Sequence, residues 1–280
     1  LGRLKHQESD DVSIFLMLER GFRIGDFEMT FLTNSFGFDT QQWFILILAA
    51  VLIGMSKTSI SGFHMPVIPA LAFIFGGMES TGIVLPLLIV GDLFAVFFYK
   101  RHAQWNDVAK LLPWTFAGLI AGVVTGRYIN DAMFKSIISV IVIFCLLVLV
   151  YNERKDGDLY LPKGKWFTIL AGATSGFASM IGNAAGPIFA IYLLSMNMKK
   201  NRYLGTTAYF FLIVNVSKVP LQIIFWSNIR SDNLSLTLVL IPAIAFGAFI
   251  GLVLIKRLSE KPFRKIIVAM TAITAIRLLM

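Results

Sequence analysis

Three ionisable side chains, Lys57, Asp92 and Lys218, stand inside stretches otherwise made of apolar and small residues. A charge at the centre of a lipid-embedded helix costs about 2.5–3.5 kcal/mol on insertion scales, so each is expected to serve a function. A lysine in such a place can neutralise an anion; an aspartate can pair with that lysine or carry a proton. Lys57 belongs to "SKTSISGFHMP" (residues 56–66), which adds hydroxyls at Thr58, Ser59 and Ser61, a glycine at Gly62 and an imidazole at His64. A second interruption, "GNAAGP" (residues 182–187), puts Asn183, Ala184 and Gly186 ahead of Pro187 in a long apolar run. Lys218 follows Asn215 on a later apolar segment. A proline in the first turn of a helix costs no hydrogen bond, and Asn183 or Gly186 can cap the turn it begins. Each interruption therefore aims a helix N-terminus, with unpaired N–H groups and a partial positive charge, at the interior. Two such ends facing one another suit an anion. The candidate anion ligands are Lys57, Thr58, Ser59, Ser61, Gly62, Asn183, Ala184, Gly186, Asn215 and Lys218. His64, with an ordinary pKa of about 6.5, and Asp92 are candidates for coupling or gating. The competing expectation for Asp92 and Lys218 is a buried ion pair that fixes packing between two halves of the protein.

The elements that must position these residues follow from composition. Hydrophobic residues make up 57% of the 280, charged residues 15%, and mean hydropathy is +0.76, more than one soluble core requires. Apolar segments near 80–99, 107–126, 132–151, 203–226, 234–255 and 263–280 are each long enough to cross a hydrocarbon layer of about 30 Å as a helix. Two more regions, near 41–75 and 166–196, carry the interruptions. Long continuous runs exclude a β-barrel, which needs short alternating strands. The net charge of +9 does not point to nucleic acid, because most Lys and Arg fall in the connections near 100–110, 152–165, 199–202 and 256–265. That is the positive-inside bias of a protein of the cytoplasmic membrane. The single cysteine, Cys145, lies mid-segment and cannot form a disulfide within the chain.

Threading follows from the same charges. The connections at 152–165 and 199–202 both face the cytoplasm, so region 166–196 must enter and leave from one side. Its arms, about 15 and 10 residues, are shorter than the roughly 20 needed to span, which predicts a re-entrant helical hairpin. Region 41–75 is expected to dip in likewise from outside. A shift of 129 pairs Pro113 with Pro242, Gly118 with Gly247 and Gly122 with Gly251, while shifts of 121 to 123 pair Trp43 with Trp166, Gly54 with Gly176 and Pro66 with Pro187. The expected architecture is an all-α polytopic membrane protein of two inverted repeats, each a re-entrant broken hairpin plus three transmembrane helices. Residues 1–40 form an N-terminal extracytoplasmic or interfacial segment, 41–151 the first repeat, 152–165 a cytoplasmic linker and 166–280 the second repeat.

The stretch "GNAAGPIFAIYLLSMNMKKNRYLGTTAYFFLIVNVSKVPLQ" strongly resembles the second-half signature of the TauE/SafE family of membrane anion permeases, and "VGDLFAVFFYKRHAQWNDVAKLLPWTFAGLIAGVVTG" looks like its first-half counterpart. The resemblance covers about residues 41 to 280. It implies a secondary transporter, in the export direction, for sulfite or a short organosulfonate, with Asn183, Gly186 and Pro187 in the substrate-region motif and Asn215 and Lys218 on the following helix. In "SKTSISGFHMP" Ser, Lys and Thr stand where several glycines are typical of the family, so side chains share the coordination there. The expected partners are the small anion and the bilayer; a coupling proton or ion and a homo-oligomer are consistent with this reading. No Walker-type phosphate loop, HExxH motif, metal-ligating cluster or cofactor motif occurs in the sequence, which argues against an ATP-driven pump and a membrane-embedded enzyme. The alternative is a passive anion channel on the same fold, or a permease for a different small oxyanion or carboxylate.

Overall fold

The structure, a computed structural model, describes residues 36–59, 64, 67–128, 130, 133, 164–196, 198–259, 262, 265–266 and 269. Its described secondary structure is helical: α1 Thr40–Thr58, α2 Val67–Phe75, α3 Gly77–Tyr99, α4 Trp105–Gly126, α5 Lys165–Gly182, α6 Gly186–Ser195, α7 Lys200–Leu221 with a π-helical turn Gln222–Trp226, and α8 Ser231–Arg257. Five helical stretches are long and apolar enough to cross a membrane: Thr40–Thr58, Met78–Tyr99, Trp105–Gly126, Lys200–Trp226 and Ser231–Arg257. The spans expected at 132–151 and 263–280 lie almost wholly outside the described residues, as do most of residues 1–40.

The chain divides into two compact units, residues 1–44 and 45–280. In the first, Asp39 and Gln42 form a capping box at the start of α1: the Gln42 N–H donates to Asp39 Oδ1 at 2.7 Å and the Asp39 N–H to Gln42 Oε1 at 3.0 Å. Phe36, Phe38 and Trp43 pack edge-on and stacked, with ring centroids 5.7–6.2 Å apart.

In the second unit, glycines spaced four apart set the closest helix contacts. On α4, a Cβ added at Gly118 would strike the Ala173 carbonyl of α5, and one at Gly122 would lie 2.7 Å from Met180 Cβ. Across the same seam a Cβ at Gly176 of α5 would strike the Thr115 carbonyl. α1 and α8 meet in the same manner: Gly54 lies against the Ile244 carbonyl, Gly247 against the Val51 carbonyl, and Gly251 against the Thr58 hydroxyl. Within lipid there is little hydrophobic drive to bring helices together, so close backbone approach over small residues supplies the attraction. Gly118→Val is therefore expected to cost about 3 kcal/mol or more, since backbone, not a movable side chain, blocks the new methyl groups. Gly164→Val, at a position with nothing within 4 Å, serves as the control. Thermal unfolding in detergent should separate the two variants clearly.

The interrupted regions break where expected, and of the two arms in region 166–196 the second has the expected length while the first is longer. α5 runs 18 residues and α6 runs 10, while α1 runs 19 and qualifies by length and composition as a span. The break itself is made by Asn183, which takes left-handed backbone angles (φ 53°, ψ 25°). Its N–H donates to the Ser179 carbonyl at 3.1 Å and the Ala184 N–H to the Ala178 carbonyl at 3.1 Å. Asparagine tolerates this conformation better than most side chains and commonly ends helices. Asn183 thus caps the end of α5. The N-cap of α6, expected at Asn183 or Gly186, is Ala185, with Gly186 and Pro187 in the first turn.

Candidate functional site

Five helices and one connecting residue enclose a cavity of about 20 Å³ between them. That is room for little more than one water molecule. The last turn of α1 contributes Ser56 and Lys57, α3 Leu88 and Asp92, the end of α5 Ser179 and Asn183, the start of α6 Gly186, and the connection after α1 His64. α7 contributes Thr207, Ala208, Phe211 and Asn215, with Lys218 one turn further along. Residues 207, 211, 215 and 218 are spaced four, four and three apart, which places them on one helix face. Leu88 and Asp92 share a face of α3 for the same reason.

A continuous polar chain runs through this cluster. Lys57 Nζ pairs with Asp92 Oδ1 at 2.7 Å, both groups being nearly inaccessible. The other carboxylate oxygen accepts from Asn215 Nδ2 at 2.6 Å. The carbonyl end of the Asn215 amide faces Lys218 Nζ at 3.4 Å, so the amide dipole spans from anion to cation in the favourable sense. Lys218 also donates to Asn183 Oδ1 and to Ser179 Oγ at 3.3 Å. Ser56 Oγ lies 2.7 Å from His64 Nδ1, and the imidazole also hydrogen-bonds the Asn183 backbone, tying one interruption to the other. Gly91 leaves space for the Lys57 stem: a Cβ there would lie 2.9 Å from Lys57 Cγ. The ammonium of Lys57 also sits 4.8 Å from the centroid of the Phe211 ring, a cation–π distance. Its place in the last turn of α1 offsets the partial negative charge of that helix end.

Counting formal charges, two lysines and one aspartate leave the cluster at net +1. Lys57 is satisfied by Asp92. Lys218, fully buried, meets only the oxygens of neutral groups, and among the described residues no carboxylate lies within ion-pair distance of it. A buried charge without a counter-ion carries a desolvation cost of several kcal/mol. Two further groups in the cavity wall lack partners among the described residues: the Asn183 Nδ2 amide and the Thr207 hydroxyl. Both are more than nine-tenths buried. The start of α6 at Gly186 adds backbone N–H groups that have no acceptor within their own helix.

Of the residues expected from sequence, the structure brings Lys57, Asn183, Gly186, Asn215 and Lys218 together with His64 and Asp92. Asp92 pairs with Lys57, while Asn215 stands between Asp92 and Lys218. Thr58 and Ser59 are turned elsewhere. Thr58 Oγ1 donates to the carbonyls of Gly54 at 3.2 Å and Ala248 at 2.8 Å, and Ser59 Oγ to Met55 at 2.5 Å. Ala184 is buried beside the cavity but does not line it. Ser61 and Gly62 lie outside the described residues. Sequence reasoning passed over Ser179, Thr207 and Phe211, which carry no charge. The four-four-three stripe on α7 is the signal that finds two of them. Among the described residues no group of three His, Cys, Asp or Glu side chains could hold a metal ion.

Long apolar helices built around a small, buried polar cavity with an unbalanced cation define an integral membrane transport protein. A family model described as sulfite exporter TauE/SafE matches residues 46–278, and the chain belongs to that family, whose members are multi-pass transporters of the cytoplasmic membrane and not enzymes. Neither the curated proteins nor the solved structures searched gave a match.

Proposed function

We propose that this protein is a secondary transporter that exports sulfite or a short organosulfonate by alternating access, and that the anion binds against Lys218. The observation that carries this reading is the buried Lys218 ammonium, which among the described residues has no carboxylate partner and stands beside two donors likewise without partners, Asn183 Nδ2 and Thr207 Oγ1. A monoanion placed there brings the cluster to neutrality and gives every one of those donors an acceptor. The start of α6 adds partial positive charge from the same side. The Lys57–Asp92 pair holds α1 to α3 and, through Asn215, keeps Lys218 turned toward the cavity.

The cavity is too small for an anion of four heavy atoms, so binding requires the surrounding helices to part. This supports an occluded state within an alternating cycle over a freely conducting pore. Two features support the inverted repeat on which such a cycle turns. The glycine seam of α4 on α5 is echoed by that of α8 on α1, through Gly118 and Gly247, Gly122 and Gly251, Gly176 and Gly54. Lys165 and Thr168 at the start of α5 line one cavity with Tyr192 and Met196 at the end of α6, as a hairpin returning to its own side requires. His64 and Asp92 remain the groups to carry a coupling proton, since both touch the network that a moving α6 would rearrange.

Purified protein in liposomes is expected to release trapped sulfite faster than protein-free vesicles, with saturation. Loss of a hydrogen bond to a charged group costs about 1.5–3 kcal/mol, so Thr207→Val should raise the KM for sulfite roughly ten- to a hundredfold. Flux that fails to saturate and carries a large current would mark a channel instead. No sulfite flux above background would overturn the substrate assignment.

A further inference from the structure

A second cavity, of about 820 Å³, opens where the end of α3, the start of α7 and the end of α8 meet. Among the described residues its wall carries the cations Lys199, Lys200, Arg202 and Lys256 together with His102, and no acidic side chain. Lys200 is committed to structure: its ammonium donates to the Ile255 and Leu258 carbonyls at 3.1 and 2.5 Å, closing the C-terminal end of α8. Lys199, Arg202 and Lys256 are exposed. All belong to the connections that the charge bias assigns to the cytoplasm.

α3 and α7 contribute residues both to this cavity and to the buried site. Arg202 precedes Thr207 by five residues on α7, a rise of about 8 Å along the helix. On α3, Tyr99 stands about two turns past Asp92. Tyr99 lines the larger cavity, while its hydroxyl donates to the Thr58 carbonyl at 2.7 Å, one residue from Lys57. Residues 99–103 lie directly on Gly205, where an added Cβ would be 2.8 Å from the His102 carbonyl carbon and 2.9 Å from the Tyr99 backbone carbonyl oxygen. The Gln104 N–H fastens the same segment to Thr206 Oγ1 at 3.0 Å.

We infer that this basic cavity is a cytoplasmic vestibule that captures small oxyanions of the transported class and presents them to the buried site. The inference rests on the transport reading above. Its chemistry is field focusing: clustered like charges in a concave, partly apolar wall raise the local concentration of counter-charged solutes and their arrival rate by tenfold or more, and salt weakens the effect. The vestibule has room for a hydrated anion, which the inner cavity lacks.

The test uses the full chain in liposomes of known sidedness and neutral lipid, comparing wild type with the triple variant Lys199→Gln, Arg202→Gln, Lys256→Gln. With sulfite supplied at the vestibule face, the KM of the triple variant is expected to rise about tenfold with maximal rate within about twofold. With sulfite supplied at the opposite face, KM should not change. Added neutral salt should raise the wild-type KM at the vestibule face and leave that of the variant nearly constant. An unchanged KM and salt response in a background where wild type transports overturns the vestibule alone. A defect seen only in vesicles containing anionic phospholipid assigns the cations to lipid headgroups and also overturns it. Absence of sulfite flux in wild type removes the transport reading and this inference with it.

Discussion

Lys218→Met is expected to reduce sulfite flux about thirtyfold or more and to abolish the rise in melting temperature that sulfite produces in the wild type. Methionine matches the length of the lysine stem and keeps the apolar contacts of α7, but removes, among the described residues, the only buried cation that lacks a carboxylate. Truncating one side of a buried, hydrogen-bonded charge pair costs about 2–5 kcal/mol in binding, which corresponds to about thirtyfold up to several thousandfold. Part of the effect falls on the apo protein: the Asn183 carbonyl, Ser179 hydroxyl and Asn215 carbonyl lose a shared donor. An unsatisfied buried acceptor costs about 1–3 kcal/mol, yet removal of an uncompensated buried charge relieves a cost of its own. The net change in stability without ligand should therefore be small against the change in binding. Thermal unfolding with and without sulfite separates the two, because at a fixed sulfite concentration the ligand-induced stabilisation depends on affinity. A Lys218→Met variant that still transports sulfite and is still stabilised by it would remove Lys218 from the site.

Much of this arrangement was legible in the sequence, because the costs of charge and exposed backbone in lipid are large. Lys57, Asp92 and Lys218 stood out as charges in apolar runs, and all three meet in one network. Their pairing was not legible. Asp92 takes Lys57 because α1 lies against α3 where Gly91 has no side chain, and a one-dimensional pattern does not reveal which helix faces meet. The hydroxyls beside Lys57 misled for a local reason: Ser and Thr on a helix readily bond the carbonyl four residues back, as Ser59 does to Met55 and Thr58 to Gly54. Asn183 was recognised as part of the break, with Gly186 as the other candidate cap of α6; its left-handed backbone makes it the end of α5, and its side chain meets Lys218. Neutral cavity residues such as Thr207 become conspicuous only when their unpaired atoms can be seen.

Asp92→Asn tests whether the Lys57–Asp92 pair is structural scaffolding. The substitution keeps shape and the contact to Asn215 but leaves Lys57 charged, buried and without a counter-ion. Breaking a buried pair from one side costs about 3–5 kcal/mol, whereas replacing both partners with apolar residues of similar volume is often neutral or stabilising. At roughly 2–4 °C per kcal/mol for a chain of this size, the melting temperature of Asp92→Asn should fall by about 6–20 °C. The double variant Lys57→Met, Asp92→Leu should recover most of that loss. If the pair acts only in packing, the double variant regains sulfite flux along with stability. If Asp92 instead carries the coupling proton, it regains stability while transport no longer responds to a pH gradient. Wild-type stability in Asp92→Asn alone would mean that Lys57 is already neutral or hydrated. The net charge that draws an anion to Lys218 would then have to be recounted.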